Sequence, residues 1–208
     1  MRPFGPILYI HFIGIVLSFL LGCAPQQKPT LLKLATLPQE GVCGIAVLPF
    51  VNETDFSDGD LIFYRVFTSE LNRFGNFELS PEGDVRNTYR KVRLASGLDA
   101  PDFNQLRIIG NYLNVPLLIF GYIKQMEEVK ASVDGYMPYL AVNIKIFDVG
   151  KGQTIWSTYY DRKGEEYRRV MHFGIVNNIT RLSRRSSEAI LTLWEKEGFI
   201  ERCSEVSN

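Results

Sequence analysis

Gly44-Ile45-Ala46-Val47-Leu48-Pro49-Phe50 is the stretch on which the fold turns. It is short and almost wholly apolar, and it is ended by Pro49 and the polar Asn52-Glu53-Thr54. A run with no polar alternation predicts a strand buried on both faces. Leu117 to Ile123 repeats the pattern and predicts a second interior strand. Between the two, Phe63, Phe67, Leu71 and Phe74 recur at helical spacing before Gly75, which predicts an amphipathic helix over Leu61–Phe74 with a glycine stop. Phe77–Leu79 is a brief strand candidate before Pro81. Pro101-Asp102 and Gln105 suit a capped helix start, with Leu106, Ile109 and Leu113 on one face and Pro116 after the end. Strand, helix, short strand, helix, strand is the pattern of an α/β layer.

Toward the C-terminus the pattern changes. Leu140, Val142, Ile144 and Ile146 alternate with Ala141, Asn143, Lys145 and Phe147, the period of a half-covered strand. Asp148-Val149-Gly150-Lys151-Gly152 is turn chemistry, and Ile155–Tyr160 is rich in aromatic and β-branched residues, so an antiparallel hairpin joins the sheet. Met171, Ile175, Ile179, Leu182, Ser186, Ala189 and Leu193 form one helical stripe closing near Gly198. An unbroken helix over residues 170–197 would be about 40 Å long, which predicts a bend near Asn177-Asn178. The expectation is one α/β domain over residues 42–203, with a mixed sheet in the order β-α-β-α-β-β-β-α, a C-terminal antiparallel hairpin, a long last helix, and a tail at 204–208.

Upstream, Met1-Arg2 leads into an apolar stretch from Ile7 to Leu21 that stops at Gly22-Cys23. One positive charge, an apolar core too short to span a bilayer and small residues at the end are the parts of a secretory signal. The ending Leu20-Leu21-Gly22-Cys23 resembles the lipobox, where lipoprotein signal peptidase cuts ahead of an acylated cysteine. That resemblance implies a signal peptide over 1–22, cleavage between Gly22 and Cys23, and a lipid on Cys23 that anchors the protein to a membrane. An ordinary signal cut beside an incidental thiol is the alternative. Residues 23–41, with Pro25, Pro29 and Pro38, read as a tether; Leu31, Leu32, Leu34 and Leu37 would let part of it pack on the domain or on membrane. Ala24 stands where enteric inner-membrane lipoproteins carry aspartate, which points to the outer membrane, facing the periplasm.

Removing residues 1–22 leaves 186 residues with 22 basic and 23 acidic side chains, so no global field favours nucleic acid. Cys43 and Cys203 remain, an even pair that an oxidising compartment would allow to bond, tying the two ends of the domain together; two separate thiols are the alternative. Once His11 leaves with the signal, His172 is the last imidazole, too few for a His–Ser–Asp triad or a His-rich metal site. No catalytic residue, metal ligand or cofactor is expected.

The motifs Ile45-Ala46-Val47-Leu48-Pro49-Phe50 with Asn52, Leu113-Asn114-Val115-Pro116-Leu117-Leu118-Ile119-Phe120-Gly121, and Asp148, Gly152, Ile155, Trp156 into Tyr160-Asp161 resemble the amino-terminal domain of TolB and its relatives. Those relatives are the CsgG, LpoB and FlgO type of bacterial envelope lipoprotein, and the likeness covers residues 44–197. It implies an interaction or assembly domain without catalysis, of the peptidoglycan-synthase-activating or secretion and motility accessory type. Its partner would be an envelope protein or peptidoglycan, with an oligomer left open. An enzyme acting on peptidoglycan and a ring-forming secretion subunit are the rival classes. Residues 80–101 and 124–138 carry charges and prolines where CsgG-type pores carry membrane-spanning hairpins, which argues against a pore.

The acidic doublets Glu127-Glu128 and Glu165-Glu166 are the one hint of a glycosidase pair, weighed against ordinary solvated turns. Gly150-Lys151-Gly152 echoes a phosphate loop but lies between strands, so it reads as a hairpin turn. Arg86, Arg90, Lys91 and Arg93 fall in the long connection 80–101 with no acid between them, and Arg168, Arg169, Arg181, Arg184 and Arg185 mark the last helix. Both groups serve solubility in one reading. In the sharper reading the first group is a candidate docking surface for an acidic partner, anionic lipid headgroups or the anionic cell wall.

Overall fold

The computed structural model describes residues 27–38, 43–96, 100–130, 136–168 and 173–199. Gly22, Cys23, His172 and Cys203 lie outside these, so the expectations for them stay as expectations.

The two continuous apolar runs pair as expected. Strand β2 (Gly44–Val47) lies parallel to β5 (Leu117–Lys130), with Ile45 opposite Leu117 and Val47 opposite Ile119. Leu48 still donates to the Ile119 carbonyl at 2.8 Å, but Pro49 has no N–H, so the ladder breaks there. It resumes as β3 (Val51–Asn52), also parallel to β5. Strand β6 (Tyr136–Asp148) pairs antiparallel with both β5 and β7 (Gln153–Lys163), and β4 (Glu78–Leu79) pairs parallel with β2. At the far edge, β1 (Thr30–Lys33) pairs antiparallel with β7. The order across the sheet is β1-β7-β6-β5-β2-β4, with β3 beside β5. At Gly121 the strands approach so closely that a Cβ would sit 2.2 Å from the Asn143 carbonyl oxygen, which gives the motif glycine its physical reason. Asp148 organises the hairpin turn as expected, its Oδ1 accepting from Lys151 N at 2.9 Å ahead of Gly152 at φ 66°.

Residues of β2 and β5 are buried alternately on the two faces of the sheet. Ile45, Val47, Leu117 and Ile119 point toward α1 (Gly59–Phe74) and α4 (Ile179–Lys196), while Ala46, Leu48, Leu118 and Phe120 point toward α2 (Glu82–Ser96) and α3 (Phe103–Leu113). The first face is aromatic: Phe50, Phe63, Phe67, Trp194 and Phe199 form a chain of ring contacts, and Trp194 Nε1 donates to Thr158 Oγ1 at 2.8 Å. Edge-on rings add to the area they bury.

Four expectations are corrected. Residues 80–101 are largely helix α2, because Val85, Tyr89 and Val92 line one inward face and the Pro81 carbonyl accepts the first helical bond from Val85 N at 3.1 Å. Residues 124–130 and 136–138 extend β5 and β6, with a bulge between Ile123 and Gln125 that returns Met126 to the core side. The last helix starts at Ile179, capped by Asn178 Oδ1, which accepts from Arg181 N at 2.8 Å; Val176, before it, is held by the Gly164 carbonyl at 3.0 Å. Its fully buried side is Leu182, Ser186, Ile190, Leu191 and Trp194, whereas Ala189 and Leu193 are only half-buried. Within the expected tether, Thr30–Lys33 is strand β1 and Leu37 is buried in the core.

Candidate interaction surface

Helices α2 and α3 cover the β2–β5 end of their face. Val85, Tyr89 and Val92 from α2 meet Leu106 and Ile109 from α3. The start of α3 is fixed by the capping box expected from the sequence: Asp102 Oδ1 accepts from Gln105 N at 2.8 Å, and Gln105 Oε1 accepts from Asp102 N at 2.9 Å. With their inner sides committed, the two helices leave an outer seam, a cleft of about 490 Å³ lined by Thr88, Lys91, Val92, Ala95, Gln105, Ile108 and Tyr112. Ile108 is 45% and Tyr112 78% exposed, and Leu94 and Phe103 are exposed close by on the same two helices. Sequence reasoning missed this pair. Its signal was an isoleucine and a tyrosine four residues apart, opposite the Leu106, Ile109 and Leu113 stripe.

The four basic residues of the sequence reading share α2 but not one cluster. Arg86 faces α1: its Nε donates to Glu82 Oε1 at 2.7 Å, and its guanidinium lies 5.0 Å from the Tyr64 ring centroid. Burial, then the Glu82 carboxylate, pushes the Tyr64 phenol above its ordinary range, with Arg86 opposing. Arg86 therefore ties two helices together and is unavailable as a docking cation. Arg90 and Arg93 follow it at helical spacing on the same flank, both exposed, while Lys91 projects on the other side and lines the cleft. Arg107 of α3 packs instead against the β6–β7 turn at Gly152, and Asp102, the cap of α3, is the one acid between Val85 and Leu113 among the described residues.

The remaining chemistry is structural. Glu128 Oε1 accepts from Ile179 N at 2.9 Å, placing a carboxylate on the first amide of α4 where the helix dipole favours it. Glu166 accepts from Arg162 Nη1 at 2.7 Å and from Lys163 N at 3.1 Å. Arg162 is buried beneath the Tyr167 ring, and burial together with the Tyr167 hydroxyl pushes the Tyr160 phenol strongly up. Both doublets thus have one member engaged in holding the fold. On α4, Arg184 lies 3.3 Å from the buried carboxylate of Glu70, which also accepts from Arg73 at 2.7 Å, and Arg185 pairs with Glu188. Among the described residues no three His, Cys, Asp or Glu side chains converge as metal ligands. Asn52 braces the loop after β3, accepting from Thr54 N and Oγ1 and donating to the Phe56 carbonyl at 2.8 Å. Cys43 is disulfide-bonded, to a partner outside the described residues.

No family model and no curated protein sequence matches the chain. Solved structures do. The PelC dodecamer from Paraburkholderia phytofirmans matches with a TM-score of 0.54 at 14% identity, over 79% of this chain and 97% of that one. Lipoprotein GNA1162 from Neisseria meningitidis matches with a TM-score of 0.53 at 13% identity, over 74% and 99%. The LpoB C-terminal domain from Salmonella enterica matches at 0.42 and 12% identity, over 62% and 87%. The chain has the mixed α/β fold that PelC and the lipoprotein GNA1162 share, the fold expected from its motifs.

Proposed function

We propose that this protein is a lipid-anchored, non-catalytic interaction or assembly factor of the bacterial cell envelope. In this reading it is exported, cut between Gly22 and Cys23, acylated on Cys23, and carried on the outer membrane facing the periplasm. It would hold a partner protein on the α2–α3 surface. The observation that carries the reading is the cleft between those helices, where Ile108 and Tyr112 stand exposed beside Lys91. Apolar side chains gathered in a concave seam and edged by the exposed Lys91 suit a partner with an apolar ridge and an acidic flank. The partner classes are those that the motif resemblance implies, a peptidoglycan synthase or a secretion or motility assembly. A photo-crosslinking amino acid at Tyr112 in living cells should capture one dominant envelope protein, and Ile108→Asp should abolish that crosslink. An undiminished crosslink would sink the assignment of the surface.

The likeness to PelC, whose structure is a dodecamer, favours a second reading in which copies of this chain also assemble with one another. Native mass spectrometry of the mature lipoprotein in detergent would register the oligomer, and a monomer at every concentration would exclude it.

Pairing of Cys43 with Cys203 belongs to the same proposal. The Phe199 ring lies 5.6 Å from Phe77, and the next residue, Glu78, donates its N–H to the Cys43 carbonyl at 2.9 Å. Cys203 stands only four positions after Phe199. A free-thiol assay on denatured, unreduced mature protein that finds Cys203 reactive would refute the pairing.

A further inference from the structure

Strand β1 shortens the tether. Its antiparallel register, Thr30 opposite Tyr159 and Lys33 opposite Trp156, points the chain ahead of Thr30 toward the Lys163 end of β7, and Gln27 Nε2 donates to Asp161 Oδ1 there at 2.7 Å. Gln27 stands four positions after Cys23, a reach of about 14 Å at full extension. The same end of the sheet carries the molecule's one long projection among the described residues. Beyond the row Lys163–Tyr139–Glu127, β5 and β6 run on for three more pairs, to Lys130 opposite Tyr136, about 10 Å further; Glu128 and Pro138 are packed against the start of α4 and Gly164, and the outer two pairs form a two-stranded arm. Its outermost described side chains are Val129, 52% exposed, Tyr136, 58% exposed, and the exposed Lys130. The nearby acid Glu128 is turned onto the start of α4.

We propose that this arm rests on the lipid surface that holds the anchor, with Tyr136 and Val129 at the headgroup boundary and Lys130 on anionic headgroups. The inference rests on acylation of Cys23, since that places the bilayer within reach of Gln27. A short tether and a projection at the same end of the sheet leave the domain little freedom to tilt away. A tyrosine, a valine and a lysine together are the composition that favours a bilayer interface, where an amphipathic ring and a snorkelling ammonium each meet both phases. The orientation carries the α2–α3 cleft away from the bilayer, because Tyr112 precedes β5 at the opposite end of that strand.

The test uses the acylated mature chain in phosphatidylethanolamine–phosphatidylglycerol vesicles whose acyl chains are brominated near the glycerol. Tyr136→Trp and Tyr112→Trp each add an exposed indole to the buried Trp156 and Trp194. Co-flotation with the vesicles reads the anchor by itself. The expected result is co-flotation of both variants, with a blue shift and loss of the added emission for Tyr136→Trp only. Co-flotation without that loss, whether the arm is bare or covered by a second copy or another protein, overturns the inference and leaves the anchor standing. Equal quenching at both positions overturns it too, by removing the orientation. A chain that never co-floats removes the anchor and the inference with it.

Discussion

The two faces of the sheet are built for different ends. On the α1–α4 face the described core gathers 27 buried residues against 11 on the α2–α3 face, so most of the folding free energy resides on the first. Its helices span the sheet and close it with aromatic rings. The second face is covered only over β2 and the start of β5, and the strands beyond it present Tyr122, Asn143, Lys145 and Tyr159 as half-buried or exposed residues. A sheet needs one well-packed face to fold. The other is then free to carry surface chemistry, and here it does so in the seam between α2 and α3.

Substitutions that separate the two faces rank accordingly. Trp194→Ala removes an indole with no exposed surface together with its bond to Thr158, and should cost about 3–5 kcal/mol in urea denaturation. Leu106→Ala, equally buried but in the smaller core, should cost about 2–4 kcal/mol, and a loss above that of Trp194→Ala would reverse the ranking. Asn178→Ala strips the cap from Arg181 N and should lower stability by no more than about 1 kcal/mol, because Glu128 still holds the first amide of α4. Tyr112→Ser should change stability by no more than about 0.5 kcal/mol while weakening capture of the envelope partner. A large melting shift for that variant would make Tyr112 a structural residue and break the division between the faces.

Legibility followed the same division. The strand at Gly44–Val47, the helix carrying Phe63, Phe67 and Leu71, and the capped start of α3 were readable because each buries enough apolar surface to impose its period on the sequence. Helix α2 was hidden because only Val85, Tyr89 and Val92 face inward among charges, too thin a stripe to stand out. The arm was hidden for another reason. The bulge after Ile123 shifts the alternation by one residue, so the strand reads as ended where it continues. Of the candidate site, the basic residues were legible and their arrangement was not. Arg86 and Lys91 are five residues apart on one helix and face different neighbours, and a long connection would have offered no such distinction.

By itself the sequence determined the α/β class, the interior strands, the hairpin and the expectation of a lipid on Cys23, because apolar period, turn residues and a cleavage pattern are local properties of the chain. Only the tertiary structure decided that Thr30–Lys33 joins the sheet edge, that Glu128 caps a helix 51 residues away, and that Ile108 and Tyr112 face a shared cleft with Lys91. Those pairings join segments distant along the chain. What selects them is the burial and hydrogen bonding of the assembled sheet and helices, which no local window of the sequence contains.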